Sequence, residues 1–317
     1  MKNINVSSLK RIEMKSEILY HVGMFPKNEG ANVENYIGFK HMTYLMEESI
    51  ISFLRDLYLS PNILYKKYGI KIIIKSLSID ILKAMNVDDF IEIDICTSMA
   101  VNEFVIKAYD NNRNSFFRGK VGIDIELTNK NVRLEVLPEK VTDFLNGILE
   151  AKKEESFREK PIESNPISDL KMLYRSAFIY SKRIPYYYCN YTRELHHSGY
   201  ERIIEEAVDL FLENKNLSIK SMLDKKSWIP VVSKSKICLL NKVEIEDTIY
   251  VVFDVKNILF NRLYEADIIF FKVIDNKLLE VAHGEISHGY SDIKEPQNPE
   301  LVVLDCETLK ALKYEKA

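Results

Sequence analysis

A short acidic turn is written twice in this chain. Asn86-Val87-Asp88-Asp89-Phe90-Ile91-Glu92 and Val243-Glu244-Ile245-Glu246-Asp247-Thr248-Ile249 each follow a helical pattern and a first strand, and each leads into a run rich in Ile and Val. Asp89 and Asp247 stand 158 residues apart, and the second helix shifted back by that spacing lands on residues 41–54, inside the first. A repeat of half the chain means one supersecondary unit made twice. Whatever the first half folds into, the second must fold into as well.

The unit itself is legible from its periods. Asn35–Leu57 carries apolar residues at Phe39, Met42, Met46, Ile50, Phe53 and Leu57. Steps of three and four place them in one stripe of a helix, and Ser60-Pro61 closes it. Lys15–Phe25 reads as a strand before this helix, Lys27–Val33 as a loop and Ser60–Lys67 as a connector after it. Strands follow at Ile70–Leu82, Phe90–Ala100, Glu103–Asp110 and Phe116–Leu127, with a hairpin turn at Asp110–Asn114. The second half predicts a strand at Ile184–Glu194 and a helix at Gly199–Leu212 with its stripe at Ile203, Ile204, Ala207, Val208 and Phe211. Strands are then expected at Ser227–Leu240, Thr248–Val255, Ala266–Ile274 and Leu278–His288. Pro138–Asp169 is charged, holds Pro161 and Pro166, and reads as a link with a surface helix over Thr142–Lys153. The expected organisation is a first unit over 1–137, a linker over 138–180 and a second unit over 181–317. The tail from Pro296, with Leu301–Leu304 and Leu309–Leu312, packs back on the surface. The fold class is α+β, each unit a curved antiparallel sheet wrapped around one long helix.

Composition excludes several classes. The 317 residues are 46% hydrophobic and 29% charged, enough for a sizeable core. A net charge of −3 supplies no basic field for nucleic acid. The opening MKNINVSSLKRIEMKSE lacks a leader's apolar core, and no window approaches 18 uninterrupted apolar residues, so a cytoplasmic protein outside the membrane is expected. Cys96, Cys189, Cys238 and Cys306 form no C-x-x-C pair and are expected as reduced thiols. No G-x-S-x-G elbow, Walker loop or G-x-G-x-x-G loop occurs. No metal-ligand cluster is evident, and His283 and His288, five apart on a strand, fall on opposite faces.

A half of this order resembles the hot dog fold, and two in one chain resemble a double hot dog. The family resemblance implies acyl thioesters of coenzyme A or acyl carrier protein as substrates and partners, with no cofactor beyond the thioester-bearing group. The physical reason lies at the start of each central helix. Backbone N–H groups and the positive end of the helix dipole polarise a thioester carbonyl placed there. The segment Val22-Gly23-Met24, Glu29-Gly30, Asn35-Tyr36 and Lys40-His41, with Asn62-Ile63-Leu64-Tyr65 after the helix, is similar to the bifunctional acyltransferase/decarboxylase of the leinamycin polyketide pathway and its relatives. That resemblance implies a methylmalonyl-type acyl group carried on Tyr65, loss of carbon dioxide and transfer to a carrier protein. It also implies substrate contacts from Asn35, Gly38 and His41 at the first helix start and from Glu194, His196, His197 and Gly199 at the second. Lys66-Lys67-Tyr68-Gly69 departs from the family's small-residue sequence there, and Glu194–Gly199 lacks the family's asparagine. The position 158 residues on from Tyr65 is Leu223, so Tyr65 has no counterpart in the second half and one site per chain is implied.

Two other readings stay open. A thioesterase needs an acid near a helix start to activate water, and Glu34, Glu47, Glu48 and Glu194 are available. A non-catalytic double hot dog protein that binds an acyl carrier protein is the third. The plainer accounts of the single residues are a packing tyrosine at 65, a strand-end histidine at 21, a solvated His196-His197 pair and a wet helix side at Glu47-Glu48. Exposed strand edges would allow a homodimer, although nothing in the chain forces one.

Overall fold

The computed structural model describes residues 17–128, 142, 145–148, 157–294 and 301–312. They form two compact units. One comprises Met1–Glu29 with His41–Glu154, the other Gly30–Lys40 with Glu155–Ala317.

The first unit runs β1 (Ile18–Met24), α1 (Phe39–Asp56), α2 (Pro61–Tyr68), β2 (Ile70–Ile81), β3 (Ile91–Thr97), β4 (Glu103–Tyr109) and β5 (Ser115–Leu127). Its antiparallel strands lie in the order β1-β3-β4-β5-β2. The expected stripe of α1 is the core face: Met42, Met46, Ile50 and Phe53 are all buried. Phe53 packs on Tyr20 of β1 and Phe104 of β4, each with ring centroids 5.8 Å away. Each such side chain contributes roughly 1.5–3 kcal/mol by leaving water.

The second unit contains β6 (Glu159–Pro161), α3 (Pro166–Leu173), β7 (Phe178–Arg183), α4 (His197–Asn214), α5 (Ile219–Lys226), β8 (Trp228–Leu239), β9 (Thr248–Leu259), β10 (Leu263–Ile274), β11 (Lys277–Asp292) and α6 (Cys306–Leu312). The strand order is β8-β11-β10-β9-β7, with β6 also on β11. Phe211 of α4 packs on Phe253 of β9 at 4.8 Å, as Phe53 packs on its own sheet.

The repeat holds to the residue. Helices at 39–56 and 61–68 and the strand at 70–81 recur at 197–214, 219–226 and 228–239, always 158 residues on. Ser60 caps α2 by accepting from Ile63 N–H, and Ser218 caps α5 by accepting from Ser221 N–H. The duplicated acidic turn has a physical basis: Asp89 Oδ2 accepts from Asn86 N–H at 2.7 Å, and Asp247 Oδ2 from Glu244 N–H at 2.8 Å. The αL residue ending the short helix is Gly69 (φ 61) in one unit and Ser227 (φ 59) in the other. A serine there carries a Cβ penalty that glycine avoids. Ser227→Gly is therefore expected to stabilise the protein by about 0.5–1 kcal/mol, read as a higher urea midpoint. An unchanged or lower midpoint contradicts it.

Several expectations are corrected. Ile184–Glu194 is not a strand; the strand is Phe178–Arg183, and Tyr186–Tyr188 forms a 3-10 turn. Pro185 has no N–H for a ladder, and Arg193 takes a left-handed φ of 67, so the aromatic run bends. Ser60–Lys67 is largely helix. The long helix begins at Phe39 rather than Asn35, because Asn35 has φ 64. The link expected over 138–180 is not one in its second half. Glu159–Pro161 pairs with β11, and Leu170 of α3 is buried against Val252, Ile269, Phe271 and Leu278 of the second unit. Of the surface helix expected at Thr142–Lys153, Leu145 and Ile148 are helical and buried; residues 143, 144 and 149–153 lie outside the described residues. The tail does pack back: Leu301 bridges Ser291, and Leu304 and Leu312 are buried. His283 is half exposed and His288 buried, as opposite strand faces require. Among the described residues, no helix is long and apolar enough to cross a membrane.

Candidate active site at the start of the second central helix

The approach to α4 is a tightly bonded loop. Ile184 N–H donates to Asp247 O at 2.8 Å, Leu195 N–H to Val243 O at 2.7 Å and His196 N–H to Tyr188 O at 2.9 Å. Asn190 Oδ1 is the hub, accepting from Thr192 N–H (2.9 Å), Thr192 Oγ–H (2.7 Å) and Glu194 N–H (3.3 Å). Gly199 lets the helix start close on this loop: a Cβ there would lie 2.8 Å from Tyr188 O and 2.5 Å from Leu195 Cδ1. Its place in the sequence-predicted site is thus one of packing. Glu194 holds Lys242 at 3.3 Å.

His196 is the N-cap. Its Nδ1 lies 3.3 Å from Ser198 N and 2.7 Å from Ser198 Oγ. A backbone N–H only donates, so Nδ1 accepts and the ring proton sits on Nε2. The predicted neighbour His197 opens the helix, and it heads a polar line of its own. His197, Glu201 and Glu205 recur every four residues, hence on one face. His197 and Glu201 are buried at 4% and 0% exposure, with His197 Nε2 3.7 Å from Glu201 Oε1. Glu205 Oε2 holds Lys40 Nζ at 2.6 Å.

Lys40 belongs to the Gly30–Lys40 segment, which is part of this unit. Gly38 is there for want of space, since a Cβ would fall 2.5 Å from Asn32 Nδ2 and 3.5 Å from Glu205 Oε1. Asn35 is exposed in the left-handed region, its N–H donating to Asn32 O at 3.2 Å. Of the sequence-predicted residues, Asn35, Gly38, Glu194, His196, His197 and Gly199 therefore fall in this unit. His41 and Tyr65 fall in the first.

His41 is buried in α1 beside Tyr44, ring centroids 5.1 Å apart. Tyr65 is half-buried in the last turn of α2 and does not start a strand. Its carbonyl accepts from Gly69 N–H at 3.1 Å. A helix C-terminus attracts cations, which accounts for Lys66 and Lys67 in that turn. Glu48 pairs with Arg55 at the surface at 3.6 Å. Burial pushes the Cys189 thiol up, away from nucleophilic thiolate chemistry.

Glu201 was not among the acids the sequence offered. Its signal was the spacing of four from His197, at positions where α1 carries Phe39 and Thr43. A carboxylate and an imidazole buried together on the opening turns of a long helix can take and return a proton beside the positive end of its dipole.

No family model matches the chain, and no curated protein matches it. Solved structures do. A protein described as an oleoyl thioesterase from Lactobacillus plantarum aligns with a TM-score of 0.57 at 8% identity, over 86% of this chain and 95% of that one. The 12:0-ACP thioesterase from Umbellularia californica aligns with a TM-score of 0.59 at 10% identity, over 86% and 94%. An acyl-ACP thioesterase from Bacteroides thetaiotaomicron aligns with a TM-score of 0.54 at 9% identity, over 85% and 97%. Identities this low establish the fold alone: the chain is a double hot dog, two units of one plan in tandem.

Proposed function

We propose that the chain hydrolyses acyl thioesters, of coenzyme A or of an acyl carrier protein, at the start of its second central helix. The observation that carries this reading is the buried His197–Glu201 pair, whose places 158 residues earlier, on α1, hold Phe39 and Thr43. The shared fold supports it, since the structures that align over most of the chain are described as thioesterases of acyl carrier protein or oleoyl substrates.

In this reading the Glu201 carboxylate takes a proton from water, and the oxygen attacks the thioester carbonyl. The tetrahedral oxyanion is stabilised by the positive end of the dipole at the helix start. Collapse breaks the carbon–sulfur bond, and the departing thiolate takes up the proton that Glu201 holds. His197 positions the carboxylate. Acyl transfer and decarboxylation through Tyr65 gain no support from the comparisons, and Tyr65 is assigned no step here.

The test is thiol release from acyl-coenzyme A esters and acyl carrier proteins. Glu201→Gln, which keeps shape and removes the base, is expected to lower kcat about 100-fold to 10,000-fold. Tyr65→Phe is expected to leave kcat within about twofold. Full turnover in Glu201→Gln, or loss of turnover in Tyr65→Phe, contradicts the assignment.

A further inference from the structure

We propose that the second unit contains an interior subsite that reads a neutral oxygen, a hydroxyl or keto group, on an otherwise apolar acyl chain. The inference deepens the thioesterase reading and rests on it for the identity of the chain as acyl.

The subsite is built on one sheet face. Ile286, His288 and Tyr290 alternate along β11, so their side chains share a face. Tyr264 of β10 stands opposite His288 and Ser235 of β8 opposite Ile286, which puts both on the same face. The rings of Tyr264 and His288 lie 5.0 Å apart, and Tyr264 lies 6.2 Å from Phe211 of α4, so this face is the one turned to the central helix. Tyr264 and Tyr290 are 0% exposed, His288 2% and Ser235 3%. Tyr264 Oη, Tyr290 Oη, His288 Nδ1 and Ser235 Oγ find no hydrogen-bond partner among the described residues. Buried polar atoms are nearly always paired, so such a group on one face points to something that pairs them.

The duplicated unit shows that the fold itself does not need them. Ile74 stands opposite Ile123 where Val232 stands opposite His288, and Ile72 opposite Ile125 where Pro230 stands opposite Tyr290. Leu77 occupies the place of Ser235. The first unit closes the same face with Leu77, Ile123 and Ile125, all buried. The polar atoms of Ser235, His288 and Tyr290 are additions of the second unit.

Their chemistry selects the ligand. Burial lowers the His288 imidazole to about 3 and raises both phenols, so all are neutral near pH 7. The set offers no charge to offset a carboxylate or an ammonium group. It offers phenolic O–H donors and a neutral imidazole nitrogen, the complement of an uncharged hydroxyl or keto oxygen. Ordered water is the competing occupant.

Trp228, the single tryptophan, has its ring 6.0 Å from that of Tyr290 and reports on the subsite by fluorescence. The full chain is titrated with dodecanoic acid and with hydroxydodecanoic acids substituted at successive carbons. At least one hydroxylated isomer is expected to bind about tenfold tighter than dodecanoic acid, one neutral hydrogen bond's worth. Tyr264→Phe with Tyr290→Phe is expected to bring that ratio to about one while dodecanoic acid still binds within about twofold. Should the double variant fail to fold, Tyr264→Phe alone must lower the ratio at least about threefold. Equal binding of all the acids overturns the proposal, as does a preference that survives the substitutions. A double variant that is more heat-stable, from a protein that never discriminated, assigns the polar atoms to water and also overturns it. Selective binding without thioester hydrolysis would remove the thioesterase reading and keep the subsite; hydrolysis without selectivity would do the reverse.

Discussion

Alanine at position 119 is expected to destabilise the protein by about 2–3 kcal/mol, and alanine at 284 by nearly as much. A Cβ on Gly119 would lie 2.2 Å from Ser78 O and 2.6 Å from Met46 Cε; on Gly284 it would lie 2.6 Å from Lys236 O. Gly119 stands between Ile79 and Ile106 in the sheet, and Gly284 between Ile237 and Ile268. A ladder carbonyl cannot step aside without loosening the register on both sides. Met46, fully buried on α1, would have to shift as well. Glycine is needed here because the strand passes so close to its neighbour's backbone, a recurrent device where a sheet curls. Urea denaturation of Gly119→Ala and Gly284→Ala reads the effect. Midpoints that leave both variants within about 0.5 kcal/mol of the parent would show that the sheet yields at these points.

The second large effect is in acid. His288 titrates at about 3 in the folded protein because burial disfavours its charged form; unfolded histidine titrates near 6.5. The folded state thus binds fewer protons than the unfolded state between those values. The stability that a neutral His288 contributes is intact above pH 6.5 and is lost as pH falls through the window towards 3. The slope is about 1.4 kcal/mol per pH unit, so a few kcal/mol disappear across the range. His288→Ile installs the side chain that the first unit uses at Ile123. It is expected to leave stability at pH 7 unchanged or higher and to remove this slope. Urea curves for parent and variant at pH 7, 6, 5 and 4 should diverge steadily, the variant gaining on the parent as pH falls. Parallel profiles would contradict a neutral buried imidazole at 288.

What was legible in the sequence follows from the range of the interactions. The acidic turn could be read twice because Asp89 and Asp247 each cap a backbone N–H three residues away. The stripes of α1 and α4 could be read because burial repeats with the helix. The short helices α2 and α5 were hidden. Eight residues give barely two turns, and paired lysines at their ends resemble a loop. The strand expected at Ile184–Glu194 failed because aromatic content outweighed Pro185 in the reading, whereas in the chain the missing N–H decides. Glu201 was passed over because an acid in a helix is ordinarily solvated, and only tertiary structure buries it. The contrast of His288 and Tyr290 with Ile123 and Ile125 needed the strand registers: longer hairpins in the second unit shift the last strand from the helical spacing, so the halves do not align there by counting.

Hydrolysis of a thioester at the second helix start is tested by incubating the full chain with acyl-coenzyme A and acyl carrier protein thioesters in ¹⁸O-labelled water, with mass spectrometry of both products and protein. Catalytic release of the thiol and a free acid carrying one solvent oxygen are expected, with no lasting acyl group on the chain. Release of no acid from any thioester, or an acyl group found on Tyr65 and passed to a carrier protein without solvent oxygen, would contradict it.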